Sequence, residues 1–270
     1  MFKAKLTNAQ LFKKLIDAIK DLVVDCTLDC SKTGIEMQAM DQSHISLVSF
    51  ELKASGFEVY ECPKNLSLGI HIESFSKILK RVGNNTTITL KADQSSDSLG
   101  ILLSNPEETI MSEFNMKLVN IIGDSFVVPD SKYAATIQMP AAEYQRICRD
   151  LAIMGETVKI IVDQGKITFS STGEIGSVNS SLKQDNSIDG NSKIVIESDE
   201  KVEAGFTFKY LNFFAKAVPL CEIVRLNLSH NSPLVAEFEI PELGNIRYFL
   251  APKFDNEPDE VDMDKEDDDN

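Results

Sequence analysis

Residues 4–19, AKLTNAQLFKKLIDAI, lie over residues 137–152, IQMPAAEYQRICRDLA, as an alternating strand, a small or polar cap and an amphipathic helix. A second pair of segments matches in the same way, SFSKILKRV at 74–82 over YLNFFAKAV at 210–218. Few residues are identical, but the apolar phase survives the shift. So do basic positions, with Lys13 over Arg146 and Lys80 over Lys216. A chain that repeats its pattern of core-facing residues builds the same core twice, and 270 residues suit two domains of ordinary size. The repeat therefore predicts two duplicated domains.

Outside these helices the pattern has period two. Phe2, Ala4 and Leu6 alternate, as do Ile35, Met37 and Ala39, then Ile88, Leu90 and Ala92, then Val158, Ile160 and Val162, then Val224, Leu226 and Leu228. Turn signals separate the runs: KTG at 32–34, GNN at 83–85, DQG at 163–165 and HNSP at 230–233. Many short strands with rare, widely spaced helices predict an α+β fold of antiparallel sheets with two helices per domain, not an alternating parallel sheet. The expected boundaries are 1–117 and 135–254 for the domains, 118–134 for a connector and 255–270 for an acidic segment. The connector, LVNIIGDSFVVPDSKYA, mixes turn formers with Ile121, Ile122, Phe126, Val127 and Val128. It either packs onto its own domains or offers an apolar edge to a partner.

Charge narrows the function. The net charge is −15, yet each helix pairs an apolar face with a cationic one. In 74–82, Phe75, Ile78, Leu79 and Val82 fall on one side and Lys77, Lys80 and Arg81 on the other. In 9–23, Leu11, Leu15, Ala18, Ile19 and Leu22 face inward, and Lys13, Lys14 and Lys20 outward beside Asp17 and Asp21. In 143–152, Arg146 and Arg149 oppose Tyr144, Ile147, Cys148 and Leu151; in 209–218, Lys209 and Lys216 oppose Leu211, Phe214 and Val218. One such helix is ordinarily a solvated face. Four in an acidic chain suggest a shared polyanionic target. Residues 255–270 hold ten acids and one lysine, so they supply −9 of the charge and are expected to be disordered.

Catalytic and metal-binding classes find little support. His44, His71 and His230 are far apart, and Cys26 and Cys30 have neither zinc-ribbon spacing nor a second pair. No glycine loop follows a strand to cradle phosphate, and no serine elbow is present. The expectation is a non-enzyme with no catalytic residue, metal or cofactor. The five cysteines read as buried thiols of a reducing compartment, and no apolar run approaches membrane-spanning length.

Eight stretches recur in order and at a set spacing: KKLIDAIKDL at 13–22, MDQSHISLV at 40–48, SFSKILK at 74–80, MKL at 116–118, ICRDL at 147–151, TGEIG at 172–176, YLNFFAKAVPL at 210–220 and YFLAPK at 248–253. In these the chain from 1 to 254 resembles the eukaryotic proliferating cell nuclear antigen family of DNA sliding clamps. The resemblance implies a head-to-tail homotrimeric ring around duplex DNA, acting as a processivity factor for replicative polymerase in the nucleus. It also implies a platform for the clamp loader, flap endonuclease and DNA ligase, joined through PIP-box peptides. The related alternative is a subunit of a heterotrimeric DNA-damage checkpoint clamp.

The resemblance assigns DNA contact to Lys13, Lys14, Lys20, Lys77, Lys80, Arg146, Arg149, Lys209 and Lys216. It places a partner-peptide pocket at Met40, His44, Ile45, Leu47, Phe126, Val128, Pro129, Tyr133, Pro233, Tyr248, Ala251 and Pro252. Residue by residue, without the resemblance, Met40 and Ile45 read as core and His44 as a satisfied histidine. The implied trimer seam pairs about 109–117 with about 175–183 of the next copy, bringing Ile110 and Phe114 to Ile175 and Val178. One departure stands out: Gln164 occupies the turn where the family presents a lysine for ubiquitin, with Lys166 two residues on.

Overall fold

The computed structural model describes residues 1–93, 96–121, 132–185 and 193–253. Its first half runs β1 (Phe2–Leu6), α1 (Ala9–Ile19), β2 (Asp25–Cys30), β3 (Gly34–Met40), β4 (Ser46–Lys53), β5 (Val59–Glu61), β6 (Leu66–His71), α2 (Ile72–Leu79), β7 (Thr87–Ala92), β8 (Ser98–Ser104) and β9 (Met111–Lys117). The second half repeats that order. It runs β10 (Ala135–Pro140), α3 (Ala141–Leu151), β11 (Thr157–Asp163), β12 (Lys166–Gly173), β13 (Gly176–Lys183), β14 (Val195–Ser198), β15 (Val202–Thr207), α4 (Phe208–Phe214), β16 (Ile223–Leu228), β17 (Leu234–Ile240) and β18 (Gly244–Leu250). A 3-10 helix, Ala215–Leu220, prolongs α4.

Every pairing between these strands is antiparallel. The five-stranded order β5-β1-β7-β8-β9 has its counterpart in β14-β10-β16-β17-β18, and β6-β2-β3-β4 has its counterpart in β15-β11-β12-β13. The duplicated α+β fold is thus present in connectivity as well as in sequence. Its halves are not separate, because β18 pairs with β4 and fuses one sheet from each half into a nine-stranded sheet. Gly244 opens that junction at φ 157°, where an added Cβ would lie 1.8 Å from the Glu51 carbonyl oxygen. Only glycine permits this approach.

The alternating residues face inward as their period requires: Phe2, Ala4, Leu6, Ile35, Met37, Ile88, Leu90, Val158, Ile160, Val162, Val224, Leu226 and Leu228 are all buried. One apolar cluster runs through both halves. The helices bury a wider stripe than the sequence suggested. In α1, Phe12 and Ile16 are also buried while Leu11 is only half-buried, and Val218 is half-buried at the end of the second-half segment. Four cysteines are buried and Cys221 is half-buried. Burial pushes the Cys26, Cys30, Cys148 and Cys221 thiols up to about 12.

Candidate nucleic-acid interface and partner surface

The helices form one continuous layer. α2 packs on α1, α1 on α4 and its 3-10 extension, and those on α3. The layer covers one face of the nine-stranded sheet. Tyr248 of β18 donates to the Ala18 carbonyl of α1 at 3.2 Å and stacks on Phe214 of α4 with centroids 4.5 Å apart. Tyr144 of α3 donates to the Leu211 carbonyl at 3.0 Å and meets Phe238 of β17 edge-on. These aromatics bolt the helices down, and their opposite faces carry the cations.

Eight of the nine expected DNA-contacting cations are exposed, and Lys13 is half-exposed. They differ in how free their charge is. Lys20 holds Asp17 at 2.7 Å, Lys77 holds Glu73 at 2.8 Å, Arg146 holds Glu143 at 2.7 Å and Asp150 at 3.5 Å, and Lys216 holds Asp21. Side-chain hydrogen bonding to Lys77 holds the Glu73 carboxyl below its usual value. Lys13, Lys14, Lys80, Arg149 and Lys209 have no carboxylate partner among the described residues. Lys14 reaches only the Pro219 carbonyl at 3.3 Å, Arg149 reaches Gln145 at 2.7 Å, and Lys209 lies 4.8 Å from the Tyr210 ring centroid. An array of part-neutralised cations attracts phosphate without fixing it.

A second surface lies on the opposite face of the nine-stranded sheet. Val235 pairs with Phe249, Phe249 with Leu47, and Leu47 with Met40, so one apolar row crosses four strands. Leu47, Val235 and Phe249 cluster, with Met40 and Tyr133 packed against them. The expected pocket residues Met40, Leu47 and Tyr133 thus come together here. Ile45 lies at the same end of the sheet and is 37 % exposed; its carbonyl accepts the Ala251 N–H at 3.1 Å. His44, Pro233 and Ala251 are exposed and Pro252 is half-buried. Phe126, Val128 and Pro129 lie outside the described residues.

Tyr248 requires correction. It is fully buried on the helix side, so it belongs to the core and not to this surface. Its neighbour Phe249 takes the outward place, because successive strand side chains point to opposite faces. The sequence reading missed Phe249 and Val235. The signal was present, since Ile246, Tyr248 and Leu250 share one parity and Phe249 has the other.

The loop before β4 is held by Asp41, which is 8 % exposed. Its carboxylate accepts the N–H groups of Ile45 and Ser46 at 2.8 Å and of Ser43 at 3.1 Å, and the Tyr210 hydroxyl at 2.8 Å. Burial opposes its ionisation, but the hydrogen bonds from Ser46, Tyr210, Ser43 and Ile45 outweigh it and hold the carboxyl below its ordinary value. One side chain thereby ties the outer loop bearing His44, at φ 54°, to the cationic helix α4.

Of the seam candidates, Phe114 and Val178 lie on strands, while Ile110 immediately precedes β9 and Ile175 lies in the turn between β12 and β13. β9 ends the first five-stranded sheet and β13 ends the second-half four-stranded sheet. Ile110 and Ile175 are 71 % and 70 % exposed, and Phe114 and Val178 are half-buried. Gln164 sits with Gly165 in a two-residue turn between β11 and β12, both at positive φ, 46° and 69°. No helix among the described residues is long and apolar enough to cross a membrane.

Family comparison agrees with this architecture. A family model described as Proliferating cell nuclear antigen, N-terminal domain, matches residues 1–126, and one described as Proliferating cell nuclear antigen, C-terminal domain, matches residues 127–253. The two matches divide the chain where its structural repeat divides it. The family is one of non-catalytic scaffolds that act on DNA. The chain belongs to the proliferating cell nuclear antigen family of DNA sliding clamps.

Proposed function

We propose that three copies of this chain close head-to-tail into a ring around duplex DNA, which tethers replicative polymerase and recruits other replication and repair enzymes. One observation carries the reading. β18 and β4 join within the chain, while their repeat counterparts β9 and β13 both end as sheet edges. Pairing β9 of one copy with β13 of the next repeats a junction the chain already makes. Edge strands left open would invite uncontrolled association. Carrying the internal register across the repeat sets Phe114 against Val178, as Tyr248 is set against Val48. Ile110 and Ile175 then fall toward opposite ends of the seam.

A ring built this way carries its helix layer on one face and its outward apolar row on the other. Duplex DNA meets the nine named cations through phosphates, without regard to sequence. PIP-box peptides of polymerase, flap endonuclease and ligase dock their apolar anchors on the row of Met40, Leu47, Val235 and Phe249 with Tyr133. Clamp loader opens the ring, and the site of action is the nucleus. The assignment to replication, rather than to a heterotrimeric checkpoint clamp, rests on the seam complementarity of identical copies.

The test is topological. Sedimentation equilibrium is expected to give three copies. Loaded by a clamp loader onto nicked circular plasmid, the protein should survive a high-salt wash and leave when the plasmid is cut once. Equal release from circular and linear DNA, or a monomer throughout, would overturn the reading.

A further inference from the structure

The outward face of the second-half four-stranded sheet holds a basic concavity, bordered on one side by the end of the seam strand β13, to which the clamp reading gives no role. It has a volume of about 760 Å³ and is lined by Lys166, Lys183 and Lys201 together with Asp163, Gln164 and Gln184. Lys166 stands directly opposite Lys183 in the β12–β13 register, and like charges in that relation repel. Neither lysine has an ion-pair partner among the described residues, whereas Lys201 shares Glu203. Thr168 also lines the groove, and its hydroxyl lies 3.0 Å from that of Ser181 on β13. A net positive hollow in a chain of net charge −15 calls for an anion.

The chain carries a fitting one. The described structure ends at Lys253, whose N–H donates to the Gly205 carbonyl on β15 at 2.8 Å and whose Nζ reaches the Thr157 hydroxyl of β11 at 2.7 Å. Lys253, the last described residue, therefore lies against β15, the edge of the same sheet opposite β13. From Gly205 to Lys183 is about 20 Å, from strand rise and strand spacing. About six extended residues span that distance. Eight of the acids lie at 259–270, beyond that span. The cationic helix layer competes less well because it lies on the core side of the sheets and four of its nine charges already hold carboxylates.

We propose that the acidic segment 259–270 docks in this groove, its carboxylates shared among Lys166, Lys183 and Lys201. The segment then masks the basic outer patch and screens the Lys166–Lys183 repulsion. Binding is electrostatic and intramolecular, so it is weak, salt-sensitive and independent of protein concentration.

Amine acylation of the full-length chain, read residue by residue by mass spectrometry, tests this without DNA or a partner. The comparison variant is full-length with Asp264→Asn, Glu266→Gln, Asp267→Asn, Asp268→Asn and Asp269→Asn. At low salt, neutralisation should raise acylation of Lys166 and Lys183 about two- to threefold, as for a tethered site half to two-thirds filled at millimolar effective concentration. Lys32 and Lys64, on the other half, should not change. At high salt the two proteins should react alike. Equal reactivity of Lys166 and Lys183 at low salt overturns the proposal, as does a rise confined to Lys14 and Lys80 of the helix layer. An acidic peptide of another protein that protects both proteins equally would assign the groove to an outside partner and also overturn it. The readout requires neither DNA nor a partner peptide, and Lys166 on β12 reports apart from the seam strand, so its failure is distinct from failure of the clamp reading.

Discussion

Asp41 shows how much one side chain carries. It receives three backbone N–H groups and one phenol while nearly excluded from water. Asn at this position keeps the shape but loses the charge that strengthens those bonds, so Asp41→Asn should cost about 2 kcal/mol, the scale of hydrogen bonds to a charged group. Because the folded carboxyl titrates below its ordinary value, its contribution is complete above about pH 4 and fades as pH falls through the folded value. Urea denaturation at pH 7 should therefore separate the two proteins clearly, and at pH 3 the gap should narrow. A gap that stays constant with pH would mean the carboxylate charge is not what holds the loop. Residue-scale chemistry of this kind was not legible in the sequence. Asp41 sits inside a quoted motif, but its link to Tyr210 spans 169 positions and appears only once the chain is folded.

The elements were largely legible, for a physical reason. Period-two burial and the helical stripe depend on local geometry alone, so Ile88, Leu90 and Ala92 or Tyr144, Ile147 and Cys148 declare their faces. What failed was parity carried over by analogy: Tyr248 was placed outward, and the strand turned Phe249 there instead. Ion pairing was also hidden, because Asp21 meets Lys216 across the two halves. That pairing divides the helix cations into a held set and a free set, which predicts unequal effects on DNA. Alanine at the free Lys13, Lys14, Lys80, Arg149 and Lys209 should flatten the salt dependence of duplex binding by as much as about four to five units of log–log slope if all five meet phosphates. Lys20→Ala, Lys77→Ala and Lys216→Ala should change it less, since each already has a carboxylate in place of phosphate. Fluorescence anisotropy at several salt concentrations measures both. An equal loss of slope per alanine in the two sets would show that the pairs open freely on binding.

At the scale of the molecule, duplication explains why one sheet edge finds a partner inside the chain and its counterpart does not. The same comparison separates the two kinds of junction. At the internal junction the outward row is Val235, Phe249, Leu47 and Met40; carried across the repeat, the seam positions become Gly100, Asn115, Ser177 and Thr172. The seam thus lacks the apolar anchors of the internal junction, and a ring of three should take one apolar peptide per chain. A heterologous seam also has two different halves, so each can be spoiled alone. Phe114→Asp removes the β9 half and leaves β13 intact, whereas Val178→Asp does the reverse. Each variant by itself should sediment as a monomer, because every contact it offers contains one spoiled edge. Mixed in equal amounts, they share one good pair, β9 of the Val178→Asp chain with β13 of the Phe114→Asp chain. The mixture should stop at a dimer, since the outer edges of that dimer are both spoiled and cannot close. An isologous contact behaves differently: β13 against β13 would let the Phe114→Asp chain dimerise alone, and that result would remove the head-to-tail ring.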